Sequence, residues 1–463
     1  MTDSMQEQSE AKFDFRKVLP VFIIVLVDLL GLTVIIPLLP LYATAFGANA
    51  FMIGLLGASY PLLQLVGAPI LGRLSDRHGR KPILLISQVG TLVGFLVLGW
   101  ANALPLLFLA RIIDGISGAN ISTAQAVISD VTTKETRTQG LGLLGAAFGI
   151  GFIIGPVIAF VSLIASGNNY HVPAFVAAGF SAASILLTWF TLDETLPEGA
   201  SQQAEDESKS SFSARAMIRA LARPAIGTLL MLMFAQQFAF GGFEQLLALF
   251  TLNRLGMNAS SNAVIFVFVG VIVVAVQGKF IGPWSRRFGD RRLVQVGLAT
   301  LALGLALTAL TPESPVPWYS KSGLNQELAA SGDVQVQAAQ GAAEVSIQLP
   351  EEANRGALGL VWILVAMIPA SIGGGLLQPS INSLITQNGS VAEIGALLGL
   401  SASFMSAANA LAPAIGGAIF DQLGASAPFL FFGLIMAALF VWALNGLPAS
   451  PNAGAESSQS SPA

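Results

Sequence analysis

Twelve apolar stretches, each close to the length that crosses a bilayer, leave this chain few folds to choose from. They run over 18–43, 51–71, 82–101, 104–127, 139–164 and 172–192, then over 225–250, 262–282, 292–311, 356–380, 394–418 and 427–447. A helix needs about 20 mostly apolar residues to span a hydrocarbon core of about 30 Å. Only helices and closed barrels satisfy their backbone groups inside lipid. A barrel strand alternates apolar and polar residues, and these stretches are continuously apolar, so the sequence predicts an all-α membrane protein with twelve transmembrane helices. Composition agrees. Only 10% of residues are charged and 54% are hydrophobic, whereas a soluble domain carries about 25% charged residues.

Several function classes drop out. The net charge of −4 gives no basic face for nucleic acid. The chain has no cysteine, and its two histidines, His78 and His171, lie far apart, so no thiolate or histidine cluster is expected to hold a metal. No phosphate-binding Gly-x-x-x-x-Gly-Lys-Ser/Thr run occurs, and no nucleophile elbow. The expectation is a protein that is not an enzyme, with no cofactor. Its partners are a small-molecule solute, protons and the lipid bilayer, and it works as a monomer. The first apolar run is too long for a signal-peptide core and is read as the first span.

Orientation follows from Lys and Arg, which gather in cytoplasmic loops. Arg16, Arg73, Arg77, Arg80, Lys81, Lys134, Arg137, Arg286, Arg287, Arg291 and Arg292 fall on one side, and the opposite short loops hold little beyond Arg254. Both termini are therefore expected in the cytoplasm, with the chain in the cell (inner or plasma) membrane. The expected organisation is a cytoplasmic segment over 1–17, a six-helix bundle over 18–194, a polar cytoplasmic linker over 195–222, a second six-helix bundle over 223–447, and a disordered tail over 448–463. Residues 312–355 form an external loop, read as a flexible insert.

The two halves repeat. After the second span the chain carries Gly72, Ser75, Arg77 and Gly79; after the eighth it carries Gly282, Ser285, Arg287 and Gly289 at the same spacing. In the fifth span Gly151, Gly155 and Pro156 have an echo in Asn409 to Pro413 of the eleventh. Two such units imply a pseudo-twofold axis along the membrane normal with a site at their interface.

At this point the motifs resemble a known family. Gly72-x-Leu74-x-Asp76-Arg77-x-Gly79-Arg80-Lys81 is similar to the signature loop of the major facilitator superfamily, and Leu107-x-x-x-Arg111-x-x-Asp114-Gly115 to its helix-4 motif. Gly151-x-x-x-Gly155-Pro156 resembles the helix-5 motif of antiporters. Asp28-Leu-Leu-Gly31 with Pro37 and Pro40 resembles the first helix of drug/proton antiporters, and Gly115 to Asn120 with Ser129-Asp130 resembles the tetracycline-efflux branch. Two departures stand out: Asp114 replaces the family's usual glutamine, and Ala159-Phe160 replaces the double glycine that closes the helix-5 motif. The resemblance implies two pseudo-symmetric six-helix bundles, alternating access, and tetracycline or multidrug efflux.

Charges inside a membrane are expensive and usually functional. Asp28 lies near mid-depth of the first span among apolar neighbours; it is either a proton-coupling carboxyl, as the resemblance implies, or a structural hydrogen-bonding group. Arg111 and Asp114, three apart, share one helix face. They either neutralise each other, or Arg111 stabilises a carboxylate until a proton or solute competes. Gln236, Gln237, Phe240 and Glu244 form a polar and aromatic stripe in the seventh span, suited to a cationic or amphipathic solute. The resemblance gives Gly72, Asp76, Arg77, Gly79, Arg80 and Asp130 the role of a conformational latch, with Asp76 against a helix N-terminus of the other half. Gly151, Gly155 and Pro156 are expected to form a close-packed interface between the halves. The function expected is a proton-coupled exporter of a hydrophobic or cationic drug-like molecule; the alternatives are an uptake symporter for a sugar or organic acid, and a non-transporting receptor or scaffold.

Overall fold

The computed structural model describes residues 15–118, 120–132, 137–196, 222–332, 348–388 and 394–447. The tail over 448–463, nearly all of the linker and most of the N-terminal segment lie outside them. The described residues are helical over most of each expected span, and no strand occurs among them. Among the described residues, eleven helical stretches are long and apolar enough to cross a membrane. The remaining expected span, 139–164, lies within a 29-residue helix whose described apolar stretch is Gly149–Ala165.

The first span is broken into α1 (Phe15–Ile35) and α2 (Leu39–Ala45), where Pro37 and Pro40 interrupt the backbone ladder. Then come α3 (Ala50–His78), α4 (Arg80–Gly99), α5 (Leu104–Ile116), α6 (Asn120–Val131), α7 (Arg137–Ala165) and α8 (His171–Thr191). The second group contains α9 (Pro224–Leu255), α10 (Ala259–Ala275), a π turn (Val276–Phe280), α11 (Ile281–Phe288), α12 (Asp290–Ala309), α13 (Lys321–Gly332), α14 (Leu358–Gln387), α15 (Ile394–Leu423) and α16 (Ala427–Gly446). The fourth span is α5 with α6, and the eighth is α10 through α11.

The repeat read from sequence is present in the backbone. Gly79 and Gly289 both adopt positive φ, +105° and +80°, a region that favours glycine. The Gly79 amide donates to the Ser75 carbonyl, and the Gly289 amide to that of Ser285. The second and eighth spans also start alike. Asn49 caps α3 by accepting from Met52 N, and Asn258 caps α10 by accepting from Ser261 N.

Within each group the helices pack on one another, and the groups meet chiefly through two pairs, α3 with α15 and α7 with α10. Exchanging the halves exchanges these two pairs, as a twofold axis demands. The contact is uneven along the membrane normal. At the end far from the basic loops, a Cβ on Gly54 would strike the Pro413 backbone, and one on Gly417 the Ala50 backbone. There Asp421 accepts from Ala50 N (2.9 Å) and Phe51 N (2.8 Å), so an acid of one half caps a helix of the other. At the basic end, Gly72, Gly278 and Gly399 have open space around them. The halves touch at the far end, whereas at the basic end these three glycines have no neighbour within 4 Å.

One expectation is corrected here. Gly151 and Gly155 do not face the other half. A Cβ on Gly155 would collide with Thr33, and one on Gly151 would touch Leu29, both in α1 of the same group. Small residues let membrane helices approach closely because lipid offers no hydrophobic drive between them. The contact between halves in this helix comes instead from Gly149 against Val274 and Phe152 against Gly270. Gly155→Leu should therefore loosen α1 from α7, at a cost of about 1–3 kcal/mol from overpacking. Thermal unfolding in detergent should show a lowered Tm; an unchanged Tm would mean the two helices can part freely.

Candidate functional site

Two polar sites emerge, one within the first group of helices and one between the two groups. The first depends on the break in the fourth span. Between α5 and α6 the ladder is interrupted, and carbonyls in lipid must find donors. Gln64 Nε2 donates to Gly118 O (2.9 Å), and the Ser87 hydroxyl donates to Ser117 O. The break lets α6 begin at Asn120, whose Nδ2 donates to Asp28 Oδ2 (2.8 Å). Asp28 Oδ1 is shut off from solvent without a hydrogen-bond partner.

Arg111 and Asp114 form a buried ion pair at 3.0 Å. The guanidinium lies over the Tyr60 ring, 4.5 Å from its centroid. Thr91 lies beside Asp114 in the same crevice, and its Oγ1 is 3.5 Å from Asn120 Nδ2. Asp28, Tyr60, Thr91, Asp114 and Asn120 line one crevice of about 20 Å³, room for a single water. Arg111 is thus committed to Asp114, and Asp28 is held by a neutral amide alone. The cluster thus holds two carboxyls and one cation, and only Asp114 is paired with it.

The second site is a cavity of about 340 Å³, within the range of small-molecule pockets. Gln236, Gln237, Phe240 and Glu244 of α9 line it. So do Phe152 of α7, Phe243, Phe266, Gln277, Gln378, Met405 and Asn409. Gln237 Nε2 donates to Asn409 Oδ1 (2.9 Å), which ties α9 to α15. Glu244 makes no hydrogen bond or ion pair with any described residue, and its carboxyl opens into the cavity among aromatic rings.

At the basic end, Arg80 is the hub. Its Nε donates to Asp130 Oδ2 (2.9 Å), and its Nη1 donates to Ser75 Oγ (2.9 Å) and pairs with Asp76. Glu194, at the end of α8, accepts from the backbone amides of Arg80, Lys81, Thr195 and Leu196. Burial pushes the Glu194 carboxyl up, but these four amides outweigh it and hold it below the usual carboxylate range. In the repeat, Asp290 stands where Arg80 stands, and the charges invert. Asp290 accepts from Ser285, Ser383 and Gln387.

Comparison with known proteins decides the family. The sequence profile described as Major Facilitator Superfamily matches residues 21–322. The chain belongs to the major facilitator superfamily. It is 31% identical to the tetracycline resistance protein, class E, of Escherichia coli, over 76% of this chain and 86% of that protein. It is 25% identical to multidrug resistance protein 2 of Bacillus subtilis (strain 168), over 90% and 92% of the two chains. Among solved structures, the fold matches the human organic anion transporter MFSD10 at a TM-score of 0.58 with 22% identity, covering 93% of this chain and 99% of that one. It matches the nucleoside transporter NupG at 0.69 with 13% identity, covering 93% and 100%. A superfamily member built this way is a multi-pass membrane transporter.

Within that superfamily fold, the structure brings Asp28, Arg111 and Asp114 into one cluster, and Gln236, Gln237, Phe240 and Glu244 into one cavity. The signature loop splits. Asp76, Arg80 and Asp130 form one network, in which Asp76 pairs with Arg80 of its own half and with no described residue of the other half. Gly79 makes the turn, Gly72 lies in open space, and Arg77 is exposed. Sequence reading missed Tyr60, Thr91 and Glu194, and assigned Asn120 no role. Asn120 sits just after two glycines that break an apolar run, which marks an interrupted membrane helix and so a polar site.

Proposed function

We propose that this transporter exports hydrophobic or cationic drug-like molecules in exchange for protons, by alternating access of its two halves. The observation that carries the reading is the separation of two acids. Asp28 sits in a one-water crevice beside an ion pair, fit for a proton and too small for a solute. Glu244 sits unpartnered in an aromatic cavity, fit for an amphipathic cation. The names of the tetracycline and multidrug resistance relatives support the substrate class. The excess of Lys and Arg supports a cytoplasmic placement of the basic end and both termini. The open space at the basic end is then read as the inward-open state, and α7, the fifth span, completes the twelve.

The test is a susceptibility and dye-efflux panel in a pump-deficient host at two external pH values. Expected is resistance to lipophilic cations that strengthens with an inward proton gradient. Uptake of the same dyes, or no movement of any, would overturn the reading.

The latch follows from the same cycle. When the basic end closes, Asp76 leaves Arg80 for the start of α15 in the other half, while Asp130 keeps the guanidinium neutralised. Asp76→Asn should slow turnover by roughly tenfold or more while solute affinity stays within a factor of about two, since a loss of only 1.4 kcal/mol in the closed state is tenfold. Equal losses of binding and turnover would place Asp76 outside the latch.

A further inference from the structure

The segment between α12 and α14 was expected to be a flexible external insert. Its described part is ordered. Val316 N donates to Leu255 O (3.0 Å), and Tyr319 Oη donates to Pro350 O (2.9 Å). Leu324 and Leu328, one turn apart on α13, are buried and anchor that helix on the far end of the protein, against α2. Between them in sequence stands Glu327, and its carboxylate reaches both halves. Oε1 accepts from Tyr170 Oη (3.0 Å), and Oε2 accepts from Asn168 Nδ2 (3.1 Å) and Asn258 Nδ2 (3.0 Å). Asn168 and Tyr170 belong to the turn between α7 and α8 in the first half. Asn258 is the N-cap of α10 in the second.

We propose that α13 is a strap across the far end of the transporter, with Glu327 as its pin, and that release of this pin accompanies opening on that side. The inference rests on the alternating-access reading, because the strap matters only if the far end opens. Geometry carries it. Opening at the far end must separate the turn at 166–170 from the start of α10, and Glu327 is bonded to both. All three of its donors are neutral. The nearby charges are engaged elsewhere, Arg355 with Glu352 and Arg254 with Glu313. Lys321, on the same helix, is exposed. Behind Tyr170, the Tyr42 hydroxyl meets His171 Nδ1 (2.8 Å) and donates to Ala101 O (2.9 Å), which fixes the wall the pin closes against.

The pin also responds to protons. Burial pushes the Glu327 carboxyl up, further than the donors Asn258, Tyr170 and Asn168 pull it down. A proton therefore binds more tightly in the strapped state than when Glu327 faces water. By linkage, acid on that side favours the strap, and rising pH loosens it as Glu327 ionises.

The chain has no cysteine, so paired spin labels are introduced cleanly at exposed Ala165 and Leu423, at the far ends of α7 and α15. Distances between them are measured on the full-length protein in lipid nanodiscs. Expected is a population at longer distance in Glu327→Ala, and in the otherwise unaltered protein as pH rises. Glu327→Gln, which retains an acceptor and cannot ionise, should stay short and lose the pH response. Unchanged distances in Glu327→Ala, with helicity intact by circular dichroism, would overturn the strap. A pH response that persists in Glu327→Gln would overturn Glu327 as the titrating group. The readout needs no solute, so a failed efflux panel and a failed strap are told apart.

Discussion

Asp28→Asn is expected to abolish transport driven by a pH gradient and to leave folding and solute binding intact. The side chain lies beside Asn120 in a crevice sealed from solvent on one oxygen. An amide of the same shape keeps an acceptor for Asn120 Nδ2, so the packing of α1 on α6 survives. It cannot take up or release a proton. The neighbouring Asp114 does not substitute, because Arg111 holds it at 3.0 Å. Removing a positioned proton-transfer group costs on the order of 100-fold or more in the step it serves. Everted vesicles separate the effects: gradient-driven accumulation should vanish while solute exchange at equal pH continues. Gradient-driven transport at the unaltered rate would remove Asp28 from the coupling path and leave it a structural group.

Glu244→Gln should divide substrates by charge. The carboxyl faces the cavity without a partner, beside Phe240 and Phe243. A cationic solute entering the cavity would be the first cation the carboxyl meets. A hydrogen bond to a charged group contributes about 1.5–3 kcal/mol, or roughly 10- to 150-fold in affinity. Export of monocations should fall by that order, whereas neutral analogues of similar size keep their affinity through the aromatic walls. The measurement is a matched pair of charged and uncharged dyes in the same cells. Equal loss for both would make Glu244 a packing or coupling residue and leave the cavity without a charge filter.

Part of this was legible before any coordinates. A bilayer admits so few backbone solutions that apolar length alone predicts helices, and it did so within a few residues at most boundaries. Asp28, Arg111 and Asp114 were visible because a charge in an apolar run is a local anomaly. Their arrangement was not. Arg111 lies on the same helix as Asp114 and far in sequence from Asp28, yet either acid was a possible partner. The helix-5 glycines were readable as close-packing residues, but which helix they press on depends on the rotation of α7 about its axis. A run that is apolar all round carries no phase to fix that rotation. The strap was hidden for the opposite reason. Two leucines at helical spacing in a loop rich in Ala, Gln and Glu are a weak signal, and the partners of Glu327 come from two distant turns.

The sequence by itself determined the membrane-spanning architecture, the repeat and the inventory of buried charges, because the cost of polar groups in lipid acts residue by residue. Tertiary structure decided which charges meet, which end is closed, and that Asp290 in the second half is met by Ser383 and Gln387. Those outcomes depend on distances between segments that sequence neighbours do not share. Twelve apolar runs made a bundle of membrane helices the expectation; the one-water crevice beside Asp28, the open carboxyl of Glu244 and the strap arise only when the runs are packed.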